Sequence, residues 1–202
     1  RNIVVLGHRS TEPQLYPQKF DERLFPLTEE PVPDNYARRI PSEDEIDAFI
    51  TRLFRAAALS AECAIITLVY VNRSMMYADL TLQASNWKRV LLSCILMASK
   101  VWDDQAVWNV DFCTILPTID VENMNDLEHT LLEMLQFNIN VDSSVYANYY
   151  FELRTLATQV NKSFTLPPLS LAEATKLEVW SSRVSKRKGG GEGGFHFMSL
   201  MV

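Results

Sequence analysis

The stretch that decides the fold is Val90-Leu-Leu-Ser-Cys-Ile-Leu-Met-Ala-Ser-Lys100, a run of apolar and small residues that ends at a lysine. It contains no proline or glycine, and Ser85 is a suitable N-cap, so we predict a helix from Asn86 to about Val101. A helix that is apolar on every side packs in the centre of a helical domain, because no face of it suits water. Lys100 is well placed to interact with the dipole at the C-terminus of that helix.

A second helix of this apolar kind and several amphipathic helices flank the central stretch. Ser42 and Glu45 form a capping-box pattern for a first helix, whose apolar residues recur at helical spacing up to Ala57. Ser60 opens a second helix, apolar on nearly every side, that runs through Cys63–Met75. A short fourth helix is predicted over 109–116, and a last short helix opens at Ser170. Between them, a fifth helix begins near Asp120 and carries an apolar stripe of Met124, Leu127, Leu131, Met134 and Leu135. A sixth helix, capped by Ser143, carries a stripe of Val145, Tyr149, Leu153, Leu156 and Val160. Strand patterns are scarce, so the sequence predicts an all-α fold, a five-helix globular bundle with two central helices.

Breaks in this pattern divide the chain into four predicted segments. They are an extended, proline-containing arm over 1–41, the helical bundle over 42–141, a helical extension over 142–180, and a flexible basic and glycine-rich tail over 181–202. The prolines of the arm prevent a long helix there, because proline lacks the backbone donor and restricts the residue before it. We expect Phe20, Leu24 and Phe25 to hold the arm against the bundle.

Composition argues against several classes of partner. The formal net charge of -6 disfavours a broad nucleic-acid-binding face, which needs clustered Lys and Arg to displace counterions from phosphates. The apolar runs reach about half of the roughly 20 residues needed to span a bilayer, so no membrane helix is predicted. Cys63, Cys94 and Cys113 lie far apart without a Cys-x-x-Cys spacing, which indicates buried thiols in a reducing, intracellular compartment.

Residues typical of catalysis or metal binding do not form a recognisable set. The sequence has no Gly-x-Ser-x-Gly elbow and no evident Cys–His pair, and His129 is the one histidine in the predicted bundle. The acidic residues Asp103, Asp104 and Asp111 lack the central glycine that a calcium-binding loop of the EF-hand type requires. We therefore expect no enzyme activity, no metal, no cofactor and no small-molecule substrate, and we interpret the chain as a protein-binding module.

Two segments of the predicted bundle resemble a known family, the cyclins. Leu96-Met-Ala-Ser-Lys-Val-Trp-Asp-Asp104 resembles the third helix of the cyclin box, and Leu127-Glu-His-Thr-Leu-Leu-Glu-Met-Leu-Gln-Phe137 resembles its fifth. Lys100-Val-Trp-Asp-Asp-Gln-Ala-Val-Trp-Asn109 and Leu135-Gln-Phe-Asn-Ile-Asn-Val141 are similar to cyclin Y and its near relatives in particular. The resemblance covers about residues 20–178 and implies a single cyclin box.

The resemblance implies that the chain is the regulatory subunit of a cyclin-dependent kinase, which for cyclin Y is typically of the PFTAIRE/PCTAIRE type. In cyclins, the residues that match Lys100 and Glu128 hydrogen-bond to main-chain groups of the kinase beside its αC helix and so hold that helix inward. The other partner-binding positions assigned by the resemblance are Leu132, Phe137, Ile139, Trp102 and Asp103. The cyclin itself performs no chemistry.

The sequence also departs from the cell-cycle cyclins. The first predicted helix reads Phe49-Ile-Thr-Arg-Leu-Phe54 and has no counterpart of their Met-Arg-Ala-Ile-Leu substrate-docking motif. A cyclin-box adaptor in a transcription or scaffold complex is the alternative function, and an all-α enzyme is a third. We expect a cytoplasmic protein, with the plasma membrane or the nucleus as alternatives. Membrane attachment is implied only through an N-terminal segment of the relatives that has no counterpart in these residues.

Overall fold

The protein is all-helical, as its sequence predicts. The computed structural model describes residues 17–29, 35, 39–102 and 107–188, with side chains described as far as 180. A short 3-10 turn at Gln18–Phe20 is followed by the helices α1 (Glu43–Ala56), α2 (Ala61–Tyr77), α3 (Trp87–Trp102), α4 (Asn109–Ile115), α5 (Val121–Met134), α6 (Ser143–Gln159) and α7 (Leu171–Lys188). These described residues contain no β-strand, which confirms the predicted fold class.

Two helices form the centre of the bundle, α2 and α3, as predicted. They pack against each other, α5 packs on α3, and α6 packs on α2. All the residues of α3 between Leu92 and Ser99 are buried. Because this helix has so little contact with water, its two ends are held in place by packing on almost every side.

The N-termini of α1 and α5 are fixed by local hydrogen bonds, at α1 by the predicted capping box and at α5 by a cap at the predicted start of the helix. The Ser42 side chain accepts a hydrogen bond from the Glu45 main chain, and Glu45 in turn accepts one from the Ser42 main chain. Asp120 caps α5 by accepting from the main chain of Asn123 at 2.7 Å. The predicted apolar stripe of α5 is buried along its whole length. Short-range hydrogen bonding and helical periodicity are therefore enough to define both helices.

The predicted apolar stripe of α6 is confirmed in part: Val145, Tyr149 and Leu153 are partly buried against the core, but the most deeply buried residues lie one position further along the chain. Tyr146 and Tyr150 are its buried residues, whereas Val145 is only partly buried and Val160 is exposed. The Tyr146 ring stacks on Trp102 with the ring centroids 6.2 Å apart, and the Tyr150 hydroxyl donates to the Leu166 carbonyl at 2.9 Å. The two large rings occupy the deepest positions because each finds a partner outside its own helix.

The N-terminal arm lies against the bundle through two of the three predicted residues and through one that was not predicted. Phe20 is fully buried as expected, and Phe25 packs against the side chain of Arg89. Leu24 is 56% exposed and contributes no anchor. Leu27, which the sequence did not single out, is buried instead, and its carbonyl accepts from the Thr118 hydroxyl at 2.6 Å.

The last helix is longer than the predicted one. It continues through Lys188, past the predicted start of the tail at residue 181, and residues 189–202 lie outside the described part of the chain. Lys176 of α7 donates to the carbonyl of Trp102, at the end of α3. Glu178 accepts from the main-chain nitrogen of Ser143, at the start of α6, at 3.0 Å. α7 therefore fastens the end of one helix and the beginning of another.

Candidate partner-binding site

The last turn of α3 is joined to the middle of α5 by an ion pair. The Nζ atom of Lys100 lies 2.6 Å from Oε1 of Glu128, and the two side chains are only 9% and 7% exposed. Both residues were singled out from the sequence, and the structure brings them into direct contact. A charge-assisted hydrogen bond at this distance, largely shielded from water, is among the stronger polar contacts in proteins.

The other oxygen of Glu128 is held by α4. Oε2 accepts from Nδ2 of Asn109, the first residue of α4, at 2.8 Å. The same amide nitrogen donates to Oδ1 of Asn125 on α5 at 2.5 Å. The carboxylate is therefore fixed from two directions, and three helices meet at this one group.

Lys100 and Asn109 have hydrogen-bonding atoms that are not used within the described part of the chain. A lysine ammonium has three protons, and within the described part of the chain Lys100 uses one of them, for Glu128. Oδ1 of Asn109 is buried and has no hydrogen-bond partner among the described residues. Buried polar atoms are rarely left unpaired in a folded protein, so this corner of the molecule is suited to further polar contacts.

Two exposed apolar side chains flank Asn109. Trp108 is 45% exposed and Val110 is 53% exposed. The main-chain nitrogen of Trp108 donates to the side chain of Asp111 at 2.9 Å, which fixes the tryptophan at the start of α4. The resemblance to cyclins assigned a partner contact to Trp102, the other tryptophan of this segment, and none to Trp108. The signal for Trp108 was its position before the first turn of a short helix, outside any buried stripe.

Trp102 has an internal role. Its ring stacks on Tyr146, and Nζ of Lys176 lies 5.0 Å from the centroid of the same ring. The residue is buried, so it joins α3 to α6 and α7 and presents little surface to a partner. Asp103, assigned beside it, lies outside the described residues.

The three apolar residues that the resemblance assigned to partner binding after Glu128 are not equally accessible. Leu132 and Ile139 are buried in the core, whereas Phe137 is only partly buried. Phe137 has a left-handed backbone with φ 56°, directly after Gln136 with φ 52°. That conformation is uncommon for an aromatic residue and costs on the order of 1 kcal/mol. Of the three assigned side chains, Phe137 alone is not fully buried.

The segment after α5 is held by α2. The Tyr70 hydroxyl donates to the Ile139 carbonyl at 2.7 Å. Arg73 donates to the carbonyls of Asn138 and Asn140 at 2.8 and 2.6 Å. Because three successive carbonyls are engaged, the left-handed turn that carries Phe137 is fixed relative to the central helices.

Other classes of site have no support in the described part of the chain. No group of three or more His, Cys, Asp or Glu side chains there could hold a metal ion. None of the helices searched combines the length and apolar character needed to cross a membrane. Cys63, Cys94 and Cys113 are free thiols, and burial raises the pKa of Cys94 to about 12, which keeps it protonated and unreactive.

The fold and the site define a helical domain, built on two central helices with a polar network at one edge. A family model described as the N-terminal domain of cyclins matches residues 42–140, from the cap of α1 to just beyond α5. Residues 42–140 are thus similar to the N-terminal domain of cyclins, and the match supports membership of the cyclin family. Cyclins are regulatory proteins that in general bind cyclin-dependent kinases, and the domain supports a regulatory role of that kind here.

Proposed function

We propose that the protein is the regulatory subunit of a cyclin-dependent serine/threonine kinase of the PFTAIRE/PCTAIRE type and that it activates this kinase by packing on its αC helix. The observation that carries the proposal is the Lys100–Glu128 pair, positioned by Asn109 beside the exposed side chains of Trp108 and Val110. The choice of kinase branch rests on the similarity of the Lys100–Asn109 segment to cyclin Y. We place the complex in the cytoplasm.

An ion pair at this position is better explained by recognition than by stability. Removing two charges from water costs about as much as their attraction returns, so an apolar pair of similar volume is often as stable. Lys100 and Glu128 are nevertheless almost completely enclosed. A charged pair at the edge of the domain can donate to and accept from the main chain of a partner, which an apolar pair cannot do.

The apolar side chains around the pair supply the burial that a stable contact needs. Trp108 is a large, partly exposed aromatic residue, of the type that dominates the binding energy of many interfaces. Val110 and Phe137 offer further apolar surface from α4 and from the turn after α5. A polar pair bordered by apolar anchors matches the usual organisation of an interface that excludes water from its centre.

The proposed consequence for the kinase is conformational. A kinase is active when a lysine of its β-sheet pairs with a glutamate of its αC helix, and that pairing requires the helix to lie inward. A rigid surface that contacts the αC helix only in its inward position shifts the kinase toward the active state. The buried length of α3 supplies such rigidity behind Lys100.

The test is capture of a kinase from cell extract, with the bound kinase identified by mass spectrometry. The wild-type protein is expected to capture a PFTAIRE- or PCTAIRE-type kinase. With the purified catalytic domain of that kinase, Glu128→Gln and Trp108→Ala are each expected to weaken binding at least about tenfold, since one charge-assisted bond or one aromatic anchor contributes about 1.5–3 kcal/mol.

The matched control is Phe151→Ala, which removes an aromatic residue of α6 that is somewhat more exposed than Trp108, 56% against 45%. This variant is expected to bind as the wild type does. The thermal unfolding midpoint of each variant is measured first, and binding is compared at a temperature at which every variant is fully folded. A folded wild-type protein that captures no kinase, or Glu128→Gln and Trp108→Ala variants that both bind normally, would refute the proposal.

A further inference from the structure

Arg89, in the first turn of α3, is enclosed almost entirely by other parts of the chain. Its side chain is one of the largest in the protein to be fully buried. Nε donates to the Lys19 carbonyl at 2.6 Å, Nη1 donates to the Phe25 carbonyl at 2.8 Å, and Nη2 donates to Oδ1 of Asn123 on α5. The rigid fork of an arginine suits three acceptors at fixed positions better than the flexible stem of a lysine does.

Arg89 therefore joins three parts of the molecule at one point. Two of its acceptors are carbonyls of the N-terminal arm. The arm also bonds to the segment just before α3, where the main-chain nitrogen of Glu22 donates to the Ser85 carbonyl at 2.8 Å. The third acceptor lies in the first turn of α5. Lys19 of the arm adds a salt bridge to Asp126 on the same helix.

The contact with Asn123 matters because α5 also carries Glu128. Along α3, Arg89 and Lys100 are 11 residues apart, a rise of roughly 16 Å at about 1.5 Å per residue. Arg89 bonds to Asn123 and Lys100 bonds to Glu128, so α5 is attached to α3 at two separated points. A single point of attachment allows a helix to rotate or slide about it, whereas two points fix its position.

We propose that Arg89 is a positioning residue for the kinase-binding pair and that, by joining the docked arm and Asn123 to α3, it sets the register in which α5 presents Glu128. This inference rests on the function proposed above. It extends the binding machinery to residues 19–27 of the arm, which lie outside the matched cyclin domain. Arg89 acts through Asn123 and α5 and does not itself face the kinase, because it is enclosed by the chain.

The test is a double-mutant cycle in the affinity for the purified kinase catalytic domain. Asn123→Ala removes the acceptor on α5 and leaves Arg89, the arm and the Asp120 cap in place. It is expected to weaken kinase binding about fivefold on its own and less than about twofold in the presence of Glu128→Gln, because residues that act through one another are not additive. Asn123→Asp retains an oxygen acceptor for Arg89 and is expected to bind within about twofold of the wild type.

The control for lost stability is Tyr150→Phe. It removes one buried hydrogen bond, to the Leu166 carbonyl, from a part of α6 that does not touch the α3–α5 contact. It is expected to lower the unfolding midpoint by as much as Asn123→Ala does and to leave kinase affinity unchanged. If Tyr150→Phe weakens binding equally, the effect of Asn123→Ala is one of stability and the inference is overturned.

The remaining outcomes separate this inference from the function on which it rests. If Glu128→Gln weakens binding and the effects of Asn123→Ala and Glu128→Gln multiply, Asn123 does not act through Glu128 and the inference alone fails. If Glu128→Gln binds as the wild type does, the kinase site itself is misplaced and both fail together.

Discussion

The two ends of α3 each carry a buried basic residue, but the two residues are satisfied in different ways. Arg89, at the start, bonds to the carbonyls of Lys19 and Phe25 and to one side-chain amide. Lys100, at the end, pairs with the carboxylate of Glu128 and retains a small exposed surface. Arg89 is surrounded by its own chain, whereas Lys100 lies at the edge of the domain and has ammonium protons that are not hydrogen-bonded within the described residues. The same helix thus has one end that serves the fold and one that is suited to a partner.

The acids near these two ends differ in the opposite sense. Both oxygens of Glu128 are hydrogen-bonded. Glu22, near Arg89, lies 3.4 Å from Lys88 through one oxygen, and its other oxygen is buried with no hydrogen-bond partner among the described residues. Burial raises the pKa of Glu22, and Lys88 lowers it to a smaller extent. The acid at the end proposed to face the kinase is therefore the better satisfied of the two.

The largest expected effect is a loss of stability in the Arg89→Met variant. The substitution leaves two main-chain carbonyls and the Asn123 amide without their donor, in a region closed to water, and we expect a loss of about 3–4 kcal/mol in the free energy of unfolding. Urea denaturation followed by circular dichroism measures it. Arg55→Met, the same change on the exposed last turn of α1, should cost under about 0.5 kcal/mol. Equal losses in the free energy of unfolding of the two variants would show that Arg89 contributes no more to the stability of the fold than an exposed arginine does.

A smaller effect is expected for Lys100→Met. Glu128 would lose its cation but keep its hydrogen bond from Asn109, and the site borders water, so we expect a loss of about 1–3 kcal/mol. The same denaturation measurement applies. A loss as large as that of Arg89→Met would remove the distinction between the two ends, because it would make Lys100 equally necessary to the fold.

The smallest effect is a pH dependence at Glu22. Because its folded-state pKa is raised above the unfolded value, its contribution to stability is fully present below the unfolded pKa and is lost as pH rises through the folded pKa. Glu22→Gln does not ionise, so the variant should gain stability relative to the wild type as pH rises from about 4 to about 7. Unfolding experiments across that range measure the difference. If the relative stability of the variant falls with pH, the attraction of Lys88 outweighs the cost of burial.

Local signals explain which parts of the fold could be predicted. The capping box of Ser42 and Glu45 and the cap at Asp120 act within four residues, and the apolar run before Lys100 permits only a central position. The buried face of α6 could not be predicted in the same way. Whether Val145 or Tyr146 points inward depends on Trp102, which lies on another helix. Periodicity fixes the spacing of a buried stripe but leaves its rotation to tertiary packing.

The site shows the same limit. Lys100 and Glu128 were assigned through the resemblance to cyclins, and the structure brings them together. Arg89 reads in the sequence as an ordinary first-turn arginine beside Lys88, because its carbonyl acceptors are 64 and 70 residues away. Main-chain acceptors leave no trace in residue type, so neither this contact nor the burial of Leu27 has a sequence signal.

The most direct measurement replaces both members of the pair at once, as Lys100→Met/Glu128→Leu, and follows stability and kinase affinity in the same preparation. If the pair serves recognition, the double variant should unfold within about 1 kcal/mol of the wild type, because no unpaired charge remains. Its affinity for the kinase catalytic domain should nevertheless fall about 100-fold, as expected for the loss of charge-assisted bonds. A double variant that is stable and binds the kinase with wild-type affinity would contradict the assignment of this end of α3 to a partner.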